Sequence, residues 1–166
     1  MNILVATSSR HGSTREIGSA IADTLREAGH TVDELKMEEA RGVEQYNSII
    51  VGCAVYMGGW LPEVRAFVER NRRPLDSMPV WLFSSGPIGP STPALDARRL
   101  EESAGLSVRD HRVFPGKLDR RQLGFGERLA VRLVKAPEGD FRDWEDIRQW
   151  ARKIGAHIGS VSVRPG

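Results

Sequence analysis

The chain has 166 residues, of which 40% are hydrophobic and 28% charged, and its formal net charge is +2. This length and composition favour one globular domain and exclude a disordered chain or a pair of ordinary domains. Acidic and basic residues are interleaved, which argues against a nucleic-acid-binding protein although the sequence pI is near 9.0.

The first predicted strand begins at Asn2, which leaves no room for a signal peptide, and no apolar run approaches the length of a membrane span. The single cysteine excludes an internal disulfide framework and fits a reducing compartment. We therefore expect a cytoplasmic protein.

Strand and helix patterns alternate along the chain. Residues 3–6 (Ile-Leu-Val-Ala) are typical of a strand that is buried on both faces. Apolar positions at every fourth residue within 17–25 indicate a helix that Gly29 is placed to end. Residues 31–37 predict an edge strand. Further strands are predicted at 48–54, 80–83 and 108–114.

Three further helices are predicted. Pro62 suits the first turn of one of them, and Pro74 limits its length. A second is predicted over residues 91–105, and the last is predicted to begin at Asp140. The apolar positions of the last helix are Phe141, Trp144, Ile147, Ala151, Ile154 and Ile158.

The alternation predicts a doubly wound α/β fold, in which a five-stranded parallel sheet lies between two layers of helices. We expect a single domain over residues 1–160, with an inserted segment at about 116–139 and a tail at 161–166. In such sheets ligands bind at the carboxyl ends of the strands. The loops that follow residues 7, 54 and 83 should therefore converge on one site.

The loop after the first strand has the composition of an anion-binding site. Its residues are Ser8, Ser9, Arg10, His11, Gly12, Ser13 and Thr14. The N–H groups at a helix N-terminus lack intrahelical partners and the helix dipole favours negative charge there, while the hydroxyls and a guanidinium add donors. No residue of the loop is acidic, so we expect it to hold a phosphate.

Three missing features narrow the kind of phosphate. A dinucleotide-binding unit would have further glycines beside Gly12, and a P-loop would end in Gly-Lys-Ser or Gly-Lys-Thr. A phospho-receiver domain would have acidic residues where Thr7, Ser8 and Ser9 stand. A single glycine among several hydroxyls indicates a terminal phosphate monoester instead.

The same loop resembles the FMN-phosphate loop of flavodoxins, which has the form T/S-x-T-G-x-T. It is more similar still to a branch of that family, the menaquinone-dependent protoporphyrinogen oxidases. The branch shows S-T-R-D-G-Q-T-R-E-I where this chain has S-S-R-H-G-S-T-R-E-I at residues 8–17. The other shared features are Ile50-Val-Gly52 followed by Tyr56-x-Gly58, the Phe114-x-Gly116 turn and the Asp143-Trp144 pair.

The resemblance implies a flavodoxin-like, three-layer fold with FMN as its cofactor. It also implies that two later segments flank the flavin ring. They are Tyr56, Met57, Gly58 and Gly59, and Ser84, Ser85, Gly86 and Pro87. We favour Tyr56 over Trp60 as the aromatic that stacks on the ring. The peptide at Gly58 would turn to bond N5 of the reduced flavin, which needs the backbone freedom of glycine.

The cofactor would supply the electron chemistry, so we expect neither a catalytic acid–base residue nor a metal site. The resemblance implies a dehydrogenase that oxidises a porphyrinogen and passes electrons to a quinone or a similar acceptor. One alternative is a flavodoxin-type electron carrier without its own substrate, although the basic pI argues against docking through an acidic surface. The other alternative is a deazaflavin, whose anionic tail would suit Arg10 and His11.

Two remaining features have ordinary structural interpretations. Cys53 ends a buried strand and is interpreted as a small packed hydrophobe rather than a redox group. Residues 119–135 carry basic side chains around an apolar stripe, which is typical of a surface helix. The alternative for this segment is peripheral contact with a membrane, where a lipid quinone could be reached.

Overall fold

A computed structural model of the chain describes residues 1–56, 59–60, 62–86, 105–118 and 138–161. The strands are β1 at Asn2–Ser8, β2 at Thr31–Lys36, β3 at Ser48–Tyr56, β4 at Gly59–Trp60, β5 at Val80–Gly86, β6 at Asp110–Pro115, β7 at Lys117–Leu118 and β8 at Gly139–Asp140. The helices are α1 at Ser13–Glu27, α2 at Pro62–Arg70, α3 at Arg72–Ser77 and α4 at Trp144–Val161, with a 3₁₀ turn at Val43–Gln45.

Within these ranges, five parallel strands form the central sheet in the spatial order β2-β1-β3-β5-β6. β1 lies between β2 and β3, so that Ala6 is opposite Leu35 on one side and Val51 on the other. The chain therefore changes direction across the sheet next to β1, which makes the end of β1 a topological switch point. The predicted doubly wound, five-stranded α/β/α fold is confirmed.

Helices cover both faces of this sheet. Ile17 and Ile21 of α1 pack with Ile154 of α4 on one face. Phe67 of α2 and Leu75 of α3 pack on the opposite face. Because the sheet is covered on both sides, every residue of β5 is buried, which explains why the central strands are continuous apolar runs rather than alternating ones.

An aromatic cluster joins the sheet to α4. The ring of Phe83 lies 6.1 Å from that of Phe114 and 6.3 Å from that of Trp150, measured between centroids. The indole N–H of Trp150 donates a 2.7 Å hydrogen bond to Asp110 at the start of β6. Gly52 of β3 lies directly against the Phe83 ring, because a Cβ atom built on it would be 2.1 Å from Cζ.

The third predicted strand is longer than the sequence indicates. Val55 and Tyr56, which we assigned to a loop, continue β3 and pair in antiparallel fashion with Trp60 and Gly59. The chain turns back on its own strand here, so the backbone groups of the return segment find partners on β3. The second loop of the predicted site thus begins as a hairpin.

The prediction that the last helix begins at Asp140 is wrong, since α4 begins at Trp144. Asp140 lies in β8, opposite Lys117 of β7. Asp143 precedes the helix, and its Oδ1 accepts 3.0 Å hydrogen bonds from two backbone N–H groups of the first turn, as an N-terminal cap does. Phe141, which we placed on the helix, is 41% exposed.

Three predicted features lie outside the described residues: the helix that precedes Gly105, the basic segment 119–135 and the tail after Val161. Among the described helices, none has the length and apolar character needed to span a bilayer. The inserted segment is closed at its base by the two-stranded antiparallel ladder of β7 and β8.

Candidate cofactor site

The first loop turns at Gly12, which has φ 82° and ψ −21° and precedes the first residue of α1. This left-handed conformation is one that L side chains rarely adopt. No side chain caps the helix at this position, so the first N–H groups of α1 are available to an incoming anion. A Cβ atom on Gly12 would clash with nothing, since its nearest neighbours, Oε1 of Glu16 and Nη2 of Arg15, would lie at 3.9 and 4.0 Å.

This loop lines a cleft of about 550 Å³ at the carboxyl end of β1. The cleft is lined by residues 7–12 and by Arg15 and Glu16 in the first turn of α1. Residues 36–38, at and just after the end of β2, and Glu63 of α2 also line it. The cleft is therefore at the switch point, where the fold predicts a ligand.

The seven predicted residues of the loop occupy different environments. Residues 8–12 line the cleft, and within them the Arg10 side chain is exposed. Thr14 is buried, with 2% of its surface exposed. The Ser13 hydroxyl accepts a 3.2 Å hydrogen bond from the backbone N–H of Lys117, so it connects the loop to the base of the inserted segment.

The loop itself carries no acidic residue, but the cleft that it lines does. Glu16, Glu38 and Glu63 all line it. Glu16 is the nearest to the turn, since its Oε1 lies 3.9 Å from the position of a Cβ atom on Gly12. An acidic residue in the first turn is favourable for the helix but unfavourable for a bound anion. The sequence analysis missed this conflict.

Arg142 neutralises Glu16. Its Nη1 donates a 2.6 Å hydrogen bond to Oε2 of Glu16, and its Nη2 and Nε donate bonds of 2.6 and 2.8 Å to the two carboxylate oxygens of Asp140. These bonds raise the pKa of Arg142 and lower the pKa of Asp140. The guanidinium also lies 4.5 Å from the centre of the Trp144 ring. No local pattern in the sequence indicated this residue.

The other two predicted loops leave the sheet beside the first. Ser8 at the end of β1 is opposite Cys53 of β3, and Cys53 is opposite Ser84 of β5. The backbone of Tyr56 pairs with that of Gly59. The Tyr56 side chain and the predicted residues Met57, Gly58 and Pro87 lie outside what the structure describes.

The side chain of Ser84 is fully buried in the sheet. Its Oγ lies 2.8 Å from Nε2 of His111 on β6 and 3.5 Å from Sγ of Cys53 on β3. Ser85 is 3% exposed and faces the opposite layer. The Ser84 hydroxyl therefore forms its contacts with neighbouring strands of the sheet.

Gly116, which follows β6, forms backbone hydrogen bonds both to the end of β5 and to the chain just after β8. Its N–H donates a 3.0 Å hydrogen bond to the carbonyl of Gly86, and its carbonyl accepts a 3.2 Å bond from the N–H of Phe141. A Cβ atom on Gly116 would lie only 3.0 Å from the Gly86 oxygen. The shared Phe114-x-Gly116 pattern thus corresponds to a close backbone contact.

Cys53 has the environment of a packed side chain. Its Sγ donates a 3.6 Å hydrogen bond to the carbonyl of Phe83, and burial raises the pKa of the thiol to about 12. A thiol with this pKa is protonated at neutral pH and is a poor nucleophile. Among the described residues, no group of three or more His, Cys, Asp or Glu side chains could hold a metal ion.

A five-stranded parallel sheet with a single-glycine loop at its switch point is the arrangement of flavodoxins. A family model described as a flavodoxin domain matches residues 4–145. The chain belongs to this family, whose cofactor is FMN.

Within the family, the chain is similar to a particular enzyme. It is 26% identical to the protoporphyrinogen IX dehydrogenase (quinone) of Escherichia coli K12 over 176 residues, which span 95% of this chain and 96% of the relative. This supports the branch that the loop sequence indicated.

Solved structures agree on the fold. Oxidised flavodoxin 1 from Bacillus cereus has a TM-score of 0.59 at 16% identity, covering 95% of this chain and 99% of that one. A flavodoxin from Streptococcus pneumoniae TIGR4 has a TM-score of 0.59 at 20% identity, covering 94% and 98%.

Proposed function

We propose that the chain is an FMN-dependent dehydrogenase that oxidises a porphyrinogen and passes the electrons to a quinone or a similar acceptor. The observation that carries this proposal is the end-to-end similarity to the E. coli enzyme. A match that spans 95% of this chain includes most of the inserted segment at about 116–139, because the remaining 5% is shorter than that segment.

The first loop would hold the FMN phosphate. The supporting observations are the left-handed turn at Gly12 and the N-terminus of α1, which follows it without a side-chain cap. The donors that we assign to the phosphate are the N–H groups of this turn together with side chains of Ser8, Ser9, Arg10, His11, Ser13 and Thr14. Arg10 suits the outer side of the phosphate, since its side chain is exposed at the rim.

The loops after β3 and β5 would flank the flavin ring. The support is their adjacency, because the ends of the two strands are in direct register at Ala54 and Ser85. We keep the residues 56–59 and 84–87 as the ring-binding set. Since the Ser84 hydroxyl is bonded to His111, we propose that Ser84 contributes its backbone to the ring rather than its side chain.

Bound FMN would supply the two-electron redox chemistry that connects a donor to an acceptor. The contribution of the chain is to anchor the phosphate, to orient the ring between two loops and to limit access of water. A loop segment paired along its backbone, as at Tyr56 and Gly59, is a suitable wall for a planar ring because it is held by the sheet.

The cleft favours FMN over a deazaflavin with a longer anionic tail. Beside the first loop its described walls carry as many carboxylates as guanidinium and ammonium groups. Beyond the loop and the first turn of α1, the cleft is lined by Glu38, Glu63 and the single cation Lys36. A tail with several negative charges would therefore meet more carboxylates than cations there.

The membrane contact through residues 119–135 stays a prediction. It is connected with the acceptor, since a lipid-soluble quinone is reached most readily at a bilayer surface. Co-sedimentation of the full chain with vesicles of anionic lipid, compared with vesicles of neutral lipid, tests it. We expect binding to anionic vesicles that high salt reverses.

Cofactor release and turnover together test the proposal. The cofactor released from purified protein should have the mass and absorption spectrum of FMN. The FMN-loaded chain should then convert protoporphyrinogen IX to protoporphyrin under anaerobic conditions when a quinone is added, and should not do so without the quinone. Rapid electron exchange with a flavodoxin reductase in the absence of porphyrinogen turnover would indicate a carrier instead.

A further inference from the structure

We infer that Arg142 is a positioning residue that sets the preference of the first loop for a phosphorylated flavin, by neutralising the carboxylate of Glu16. This inference rests on the proposed position of the FMN phosphate at the first loop. It concerns a residue far along the chain that contacts neither the loop nor, in our assignment, the cofactor.

The need for such a residue arises from the position of Glu16. Its carboxylate lines the same cleft as residues 8–12, and its Oε1 lies beside the Gly12 turn. A phosphate bound at the N-terminus of α1 would therefore have a carboxylate as a neighbour. The two negative charges would repel one another, to an extent that solvent at the half-exposed Glu16 side chain moderates.

Arg142 is held in place for this task by two further groups. Asp140 binds the guanidinium through both of its oxygens, and the Trp144 ring covers one face of it. The Arg142 side chain is only 3% exposed, whereas the Glu16 side chain is 52% exposed. The cation is thus fixed from behind and presents its remaining donor to Glu16, which a planar guanidinium does well.

Two other cations lie near this cluster. Lys117 of β7 is near enough to Asp140 to lower the pKa of that carboxyl group, and Nη2 of Arg15 lies 4.0 Å from the position of a Cβ atom on Gly12. The 2.6 Å ion pair of Glu16 is with Arg142. Removal of Arg142 would therefore leave the Glu16 carboxylate without this pair next to the N-terminus of α1, where an anion is to bind.

The same residues also connect the loop to the inserted segment. Lys117 donates its backbone N–H to Ser13, and β7 pairs with β8, which contains Asp140. A purely mechanical role for Arg142 would therefore disturb the loop that we assign to the phosphate, and it would also weaken FMN more than riboflavin, which lacks the phosphate. The two roles differ in what they predict for Glu16. A mechanical role predicts that loss of the Glu16–Arg142 pair weakens FMN binding, whereas neutralisation predicts that loss of the Glu16 carboxylate strengthens it.

The test measures dissociation constants of FMN and riboflavin for the apo form of the full chain, from quenching of flavin fluorescence. Arg142→Met should weaken FMN by about tenfold and riboflavin by less than about twofold. Arg152→Met is the matched control, because Arg152 pairs with Glu145 on the exposed side of α4. It should change neither constant.

Glu16→Gln tests the inference independently, and it is informative even if Arg142→Met fails to fold. It removes the carboxylate while Arg142 keeps Asp140, so the preference for FMN over riboflavin should rise. The double variant Glu16→Gln/Arg142→Met should recover most of the FMN affinity lost in Arg142→Met. Equal losses for both flavins, or an unchanged preference in Glu16→Gln, overturn the inference. A wild-type chain that binds neither flavin overturns the proposed function, and the inference with it.

Discussion

Nε2 of His111 lies 2.8 Å from Oγ of Ser84, across the pairing of β6 with β5. Sγ of Cys53 on β3 approaches the same hydroxyl at 3.5 Å. Three neighbouring strands are therefore connected by side chains at the point where β5 enters the third loop. The hydroxyl of Ser84 therefore stabilises the sheet, whereas its backbone leads into the loop that we assign to the flavin ring.

Ser84→Ala should lower the free energy of unfolding by about 1–3 kcal/mol, because it removes the fully buried Ser84 hydroxyl and leaves Nε2 of the half-buried His111 without this partner. FMN affinity should change by less than about twofold, since we assign only the backbone of Ser84 to the ring. Urea unfolding of the apo chain and FMN titration measure the two effects. Ser77→Ala, at an exposed hydroxyl bonded only locally to Pro74, is the control. Loss of FMN affinity at unchanged stability would contradict the assignment.

Gly12→Ala should weaken FMN binding by about tenfold or more, because alanine resists the left-handed conformation at φ 82° and shifts the first N–H groups of α1 away from the phosphate. The strain should also cost about 1–2 kcal/mol of stability. Fluorescence titration and urea unfolding measure the two quantities.

Gly29→Ala is the matched control for this variant. Gly29 has φ 88° and no heavy atom within 4 Å of an added Cβ, so the backbone strain is comparable. It follows the C-terminus of α1, at the opposite end from the first loop. It should lose similar stability and keep its FMN affinity. Equal loss of affinity in both variants would show that the effect of Gly12 is not local.

Gly52→Ala should destabilise the fold by about 1–3 kcal/mol, because its Cβ would overlap the buried Phe83 ring and force a shift in the core. Gly159→Ala is the comparison variant, and we expect it to raise the free energy of unfolding instead of lowering it. No atom lies within 4 Å of its added Cβ, and alanine is the better helix former in α4, by up to about 1 kcal/mol. Thermal or urea unfolding distinguishes them. A neutral Gly52→Ala would mean that the Phe83 ring moves at little cost.

Stability should fall at alkaline pH because of Cys53. Burial raises the pKa of its thiol from 9.0 to about 12, so the native state keeps a proton that the unfolded chain releases. The stabilisation is complete below pH 9.0 and is lost as the pH rises toward 12, with a slope of up to about 1.4 kcal/mol per pH unit from this group. Cys53→Ala should remove this part of the slope.

Urea unfolding of wild type and Cys53→Ala at about pH 8 and about pH 10 measures the difference in slope. The pKa of Tyr46 is also raised to about 12, by burial and by its bond to Asp33, so wild type and variant both keep that contribution. Identical pH dependence in the two proteins would contradict the buried position of the thiol.

The alternation of strands and helices along the chain and the position of the first loop were predictable because both depend on local features. An apolar run such as residues 3–6 predicts a strand that is buried on both faces of the sheet, and a glycine among hydroxyl residues indicates a turn that leads into a helix. The error at Asp140 has the opposite origin. Apolar residues do recur at helical spacing after Asp140, but Asp140 itself pairs with Lys117 and therefore lies in a strand. The helix begins later because Asp143 caps its first turn.

The sequence by itself determined the fold class and the branch of the flavodoxin family, and it located the loop that we propose for the phosphate, since these follow from short motifs and periodic patterns. Only the tertiary structure decided which charges surround the loop. Glu16 and Arg142 are 126 positions apart, and no local pattern indicates that they meet. Their pairing follows from the packing of the chain around Asp140 and the start of α4 near α1. A buried guanidinium without a carboxylate partner would strongly destabilise the fold, so the partner is whichever carboxylate the tertiary structure brings near.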